Sequence, residues 1–275
     1  VISDISSDGK GTVYIATDGN GVHFLSHKDQ QVTRRFYHDV NDKEGIRSNS
    51  IYSLLIDDRG AVWVGHFQAG LDYSLYQNGL FRTYDYPPLF NSANLSIRSF
   101  VNKGQEKVIG SRDGLFYINE ATGVVKSFVK PVLTSDLILT ICFYQGEYYI
   151  GTYGGGMMVL NPETLSLKYF AQGDTELFQK GHIFCVKPDA KGNLWIGTSQ
   201  GLFSYNGQTK QIKSFTSANS QLPEGNVYEV SFDSTGKGWI ATETGMCIYD
   251  PASQSLRSNV FPEGFVNKDK VRTIY

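Results

Sequence analysis

Residues 183–205 read IFCVKPDAKGNLWIGTSQGLFSY, and this stretch decides the fold. Short runs of alternating polarity separated by Gly, Asp and Asn read as strands, because successive side chains in a strand point to opposite faces. Four strands are predicted for this copy: Ile183 to Lys187, Asn193 to Gly197, Gly201 to Tyr205 and Gln211 to Ser217. Between the first two lies Asp189-x-x-Gly192. Asp can bond the backbone two residues on and Gly accepts positive φ, so the pair suits a tight hairpin turn.

The same unit recurs along the chain. Residues 51–73 read IYSLLIDDRGAVWVGHFQAGLDY and residues 227–249 read VYEVSFDSTGKGWIATETGMCIY. Three weaker copies begin at Val1, Ile97 and Ile138, so the openings fall at 1, 51, 97, 138, 183 and 227. A seventh opening, Val271 to Tyr275, follows 44 residues after the sixth. A four-strand unit of this length cannot bury both faces of its sheet alone, so the copies must stack radially, which is the logic of a β-propeller. An open β-solenoid is the weaker alternative, since solenoid coils are usually shorter. The expected fold is all-β: one propeller fragment of four-stranded antiparallel blades at 1–44, 45–92, 93–133, 134–178, 179–222 and 223–266, with the start of a seventh at 267–275. Seven blades are expected when the ring is complete.

Composition agrees. The 275 residues carry 29 Gly, 17 Phe, 17 Tyr and 3 Trp, a mixture that favours strands and tight turns. The chain is 40% hydrophobic and only 19% charged, so a packed core is expected rather than disorder. Its net charge of −2 offers no basic stripe, which argues against a nucleic-acid partner. No apolar run reaches the roughly 18 residues that span a bilayer, and Val1-Ile2-Ser3-Asp4 has no signal-type character.

Each second strand carries a large ring two positions before Gly or Ala: Tyr14, Trp63, Tyr149, Trp195 and Trp239, with Val108 as the exception. A ring recurring once per repeat is expected to pack between neighbouring units. The turn aspartates Asp8, Asp57, Asp189 and Asp233 are read as turn formers, not catalytic acids. Cys142, Cys185 and Cys247 lack metal-ligand or disulfide spacing and read as small core residues. The five histidines show no HxH or HExxH spacing, and Gly151 to Gly156 lacks the Lys-Ser/Thr of a phosphate loop. Neither a metal nor a cofactor is predicted, and no catalytic residue is assigned.

The motif Asp-x-x-Gly-x-x-Trp-Ile-Gly-Thr-x-x-Gly-Leu-x-x-Tyr, complete from Asp189 to Tyr205, resembles the two-component regulator propeller repeat. Asp57 to Gly70 and Asp233 to Tyr249 match it nearly as well, whereas the third and fourth copies lack the turn aspartate and the second has His66 where Thr is usual. The resemblance implies the periplasmic sensor region of a Bacteroides-type hybrid two-component histidine kinase/response regulator, anchored in the inner membrane. It implies a non-enzymatic chain that detects a glycan or oligosaccharide and regulates polysaccharide-utilisation genes through its parent's kinase. The implied partners are a neighbouring propeller, a β-sandwich of the same parent and, through the parent, a second copy.

Naming the strands a to d from the centre outward, the b-to-c turns and the long d-to-a links are expected at one end of the blades. Long variable loops on a rigid scaffold are where binding usually sits. The b-to-c turns vary just after the Gly-Thr position, and Asp18, His66, Phe67, Arg112, Tyr153, Gln200 and Glu243 are the candidate ligand-binding residues. Rings that stack on sugar faces and charges that bond hydroxyls suit such a set to a hydroxyl-rich ligand. Two other functions stay open: a protein-interaction or dimerisation scaffold with no ligand of its own, and a propeller enzyme acting on glycans.

Overall fold

The computed structural model describes residues 1–75, 80–86, 90, 92–170, 175–258 and 270–274. The chain divides into two compact units, residues 1–129 and 130–274. Each holds three four-stranded antiparallel sheets whose strand order follows the chain. These are the six blades of a β-propeller fold. The a strands are Ile2–Ser7, Ile51–Ile56 and Ile97–Lys103 in the first unit, and Ile138–Tyr144, Ile183–Pro188 and Val227–Phe232 in the second. The b strands are Thr12–Thr17, Val62–His66, Glu106–Ser111, Glu147–Thr152, Asn193–Thr198 and Gly238–Thr242. Residues 270–274 are not in a strand, and the rest of the expected seventh opening lies outside the described residues. Pairing of Ile2 with Thr17, as of Ile51 with His66, starts the first copy at Ile2 rather than Val1.

Every fixed residue of the repeat has a packing or bonding reason. Asp189 accepts hydrogen bonds at Oδ1 from the amides of Lys191 (2.9 Å) and Asn193 (2.8 Å), and at Oδ2 from Trp195 Nε1 (2.9 Å). Asp57 does the same for Arg59, Ala61 and Trp63, and Asp233 for Thr235, Lys237 and Trp239. One carboxylate therefore closes the a-to-b hairpin and fixes the indole six residues on. Trp195 then packs against Phe232 and Tyr249 of the next blade, and Trp63 against Phe100. Trp239, in the last described blade, is only half-buried.

The Gly two positions after the indole is there for space. A Cβ at Gly197 would meet Cys185 Sγ at 2.6 Å and the Val227 carbonyl at 2.8 Å; at Gly151 it would meet Ile183 Cγ2 at 2.7 Å. The opening aliphatic residue of the following a strand needs that room. Ala16 and Ala241, both fully buried, take the position in the first and sixth blades.

The two copies without the turn aspartate close differently. In the fourth blade Gln145 (φ 48°) and Gly146 (φ 86°) form a two-residue turn with both φ angles positive, the hairpin geometry that matches strand twist. In the third, Asn102 Nδ2 donates instead to Asp57 Oδ2 of the preceding blade (2.9 Å). The buried clusters likewise span blades: Tyr14 and Phe24 with Ile51 and Val64, and Tyr149 and Phe170 with Ile183 and Tyr205. The three cysteines are free and buried, and burial pushes the thiol of Cys142 up to about 11 and that of Cys247 up to about 12. They fill space, as their sequence setting predicts.

The turn carboxylates make an acid-sensitive device. At Asp233 the Thr235 hydroxyl, then the amides of Thr235 and Lys237 and the Trp239 indole, hold the carboxyl below its ordinary range. At Asp8 burial pulls upward, but the bonds from Lys10 and Thr12 outweigh it and the net shift is also down. A carboxyl lowered on folding adds stability above its unfolded pKa of about 3.9 and loses it as pH falls through the lower folded value. The Thr235 and Lys237 amide resonances are therefore expected to titrate below pH ~3.9. In Asp233→Asn the same resonances should show no such step.

Candidate functional site

At the opposite end of the blades the b strand runs into the c strand through a turn that, in five of the six, a hydroxyl at the motif's Thr position locks. The hydroxyls of Thr17, Ser111, Thr152, Thr198 and Thr242 donate to the carbonyls of Gly21, Gly114, Gly156, Gly201 and Gly245, at 2.8 to 3.0 Å. The amide that follows then donates to the carbonyl just before the a strand: Tyr153 to Leu137, Ser199 to His182 and Glu243 to Asn226. Asp18, Phe67 and Arg112 repeat the bond to Val1, Ser50 and Ser96. The turn is thus stapled to the end of the d-to-a link, and the two loop sets share one end of each blade as expected.

In the first unit Asp18 is exposed and bridges Ser50, Phe67 is half-buried against Tyr52 (ring centroids 5.2 Å), and Arg112 is exposed. In the second, Tyr153 is half-exposed and stacks on His182 at 4.0 Å with the rings 28° apart. Gln200 is exposed, one residue beyond the stapled amide. Glu243 accepts from the Asn226 amide (3.3 Å) and the Tyr228 hydroxyl (3.4 Å).

His66 corrects the expectation. It is the last residue of its b strand, not a turn residue, and it is fully buried. Its Nε2 donates to Asp72 Oδ2 (2.9 Å), while Arg47 bonds the same carboxylate through Nε (2.7 Å) and its backbone amide (3.1 Å). At the register of Asp72 the later blades carry Phe116, Met158, Phe203 and Cys247. The second blade has replaced both a hydroxyl lock and an apolar contact with a buried ionic cluster. Asp72 also floors a cavity of about 350 Å³ lined by Lys43, Arg47 and Phe81 among others.

Sequence reading missed the side chains that sit beside the turns at the start of the a strands. In all six blades the pairing of the a strand skips its second residue, as where Ile51 pairs with His66 and Ser53 with Gly65. This bulge frees Ser3, Tyr52, Arg98, Leu139, Phe184 and Tyr228 from the ladder and leaves each half-exposed. In the second unit Phe184 lies 6.1 Å from His182 and 5.1 Å from Tyr228 between ring centroids. Tyr153, His182, Phe184 and Tyr228 form one run of rings, with Lys270 Nζ 4.6 Å from the Tyr228 centroid. Aligning the six copies would have found the position, as a variable residue between an aliphatic first and a mostly small third.

Six four-stranded meander blades with a stapled turn at one end define a β-propeller that presents loops on a rigid frame. The family profile of the two component regulator propeller matches residues 45–68 and 178–200, the opening parts of the second and fifth copies. No curated protein sequence matches the chain. Among solved structures, it is similar to the extracellular domain described as that of the hybrid two component system BT3049 from B. thetaiotaomicron. There the TM-score is 0.78 with 24% identity over 93% of this chain and 33% of that one. The corresponding domain of BT4673 from the same organism gives a TM-score of 0.75 and 18% identity, over 98% of this chain and 34% of that one. The chain thus spans about a third of the length of either structure. Among the described residues, no helix is long and apolar enough to cross a membrane.

Proposed function

We propose that this chain is a ligand-sensing propeller of an extracytoplasmic sensor region, in a hybrid two-component protein that detects an oligosaccharide. The observation that carries the reading is the union of two-component regulator repeats with a propeller shared by extracellular domains of such systems. The turn face supports the ligand class, since half-exposed rings beside Asn226 and Glu243 provide stacking surfaces and hydroxyl partners together.

Sensing requires that the ligand favour one arrangement of the parent over another, because equal affinity for both shifts nothing. The parent's kinase would then set expression of polysaccharide-utilisation genes. Thermal unfolding of the complete sensor region against a panel of plant and host oligosaccharides tests the binding step. A ligand at a hundred times its Kd adds about 2.7 kcal/mol, a shift of roughly a degree or more. No shift across a broad panel would move the reading to an interaction scaffold.

A further inference from the structure

We propose that the bulged second residue of each a strand is the position through which a blade reads its ligand. In the second unit, Tyr153, His182, Phe184 and Tyr228 would together form a stacking platform for a pyranose ring. The inference rests on the sensing role above and assigns it a surface within one unit, residues 130–274.

Three observations carry it. The first is the bulge itself: all six blades spend an irregularity at the same register, although a regular pair there would gain ladder hydrogen bonds. The second is chemical variation at a fixed place. The residue before the bulge is Ile or Val in every copy, whereas the bulged residue is Ser3, Tyr52, Arg98, Leu139, Phe184 or Tyr228. The side-chain chemistry at this one place thus differs from blade to blade.

The third is the arrangement of the rings. Tyr153 and His182 stack nearly parallel at 4.0 Å, and Phe184 and Tyr228 continue the run as an edge-to-face pair at 5.1 Å, with the rings 65° apart. All four rings remain partly exposed, unlike the blade-core rings Tyr149, Trp195 and Tyr205. A pyranose presents axial C–H groups on one face and hydroxyls at its rim, so it needs a ring below and polar groups at the side. Glu243, held against Asn226 and the Tyr228 hydroxyl by bonds of 3.3 and 3.4 Å, stands at that rim. Lys270 Nζ lies over one face of the Tyr228 ring, 4.6 Å from its centroid.

Saturation-transfer NMR on the 275-residue chain tests this, with methyl β-D-glucopyranoside, methyl β-D-galactopyranoside and methyl α-D-mannopyranoside as separate probes. At least one should receive saturation through its axial ring protons. Phe184→Leu and Tyr228→Leu keep apolar volume but remove the ring faces, and each should weaken that signal about tenfold, with the circular dichroism unchanged. Lys191→Ala, at the far end of its blade, should leave it intact. Transfer to none of the glycosides, or transfer that survives both ring variants, overturns the platform. An oligosaccharide that shifts the complete sensor region would, in that case, leave the sensing role standing and place its contacts elsewhere. With p-nitrophenol added as a fourth, purely aromatic probe, saturation of it but of none of the glycosides would show that the ligand class is wrong.

Discussion

Trp195→Ala is expected to cost about 3–5 kcal/mol, the range for removing a large aromatic side chain from a packed core. The indole is 2% exposed and touches three rings: Phe215, stacked at 5.6 Å, Tyr249 at 4.5 Å, and Phe232 at 5.7 Å. Tyr249 and Phe232 belong to the following blade, so the variant empties the contact between two blades as well as one core. It also strands Asp189 Oδ2, which receives the indole N–H at 2.9 Å. Trp195→Phe should recover more than half of the loss, since a ring returns but the bond to Asp189 does not. Urea unfolding followed by circular dichroism measures both. Trp239→Ala is the internal comparison: its indole is half-buried and its bond to Asp233 is 3.3 Å, so the loss should be clearly smaller. Equal losses at the two tryptophans would refute the packing role assigned to the repeat.

Asp72→Ala should destabilise by about 3 kcal/mol, the low end for breaking a buried charge pair because the Arg47 side chain keeps some contact with water. The variant leaves Arg47 without its 2.7 Å partner and His66 without the acceptor for its Nε2. The triple substitution Arg47→Met, His66→Thr and Asp72→Phe restores the pattern of the later blades, a hydroxyl lock beside an apolar register position. That triple variant is expected to be neutral or more stable than the parent, since replacing a whole buried ionic cluster by well-packed apolar groups often is. A triple variant as unstable as Asp72→Ala would show that the second blade depends on the cluster for its fold.

Much of this architecture is legible in the sequence because it is periodic. Six copies of one pattern specify the strands, the hairpin turns and the ring between blades, and the predicted strands of the fifth copy end within about two residues of those observed. The turn aspartate and the tryptophan were legible separately, but not the bond between them, because it closes across a hairpin. His66 was misplaced for a related reason. Its position in the repeat says turn lock, but a histidine is too large for that bond and turns instead to Asp72, with Arg47 arriving from a link 25 residues earlier. The ring platform was hidden because Tyr153, His182, Phe184 and Tyr228 come from three blades and meet only through a bulge that leaves no mark in polarity alternation.

An oligosaccharide bound by the proposed sensor region is expected to change the output of the parent kinase. Autophosphorylation of the full-length parent, reconstituted in vesicles with and without an oligosaccharide that stabilises its sensor region, measures this directly. The predicted result is a saturable change in phosphorylation rate at the concentrations that shift thermal unfolding. An unchanged rate at saturating ligand would contradict a sensing role.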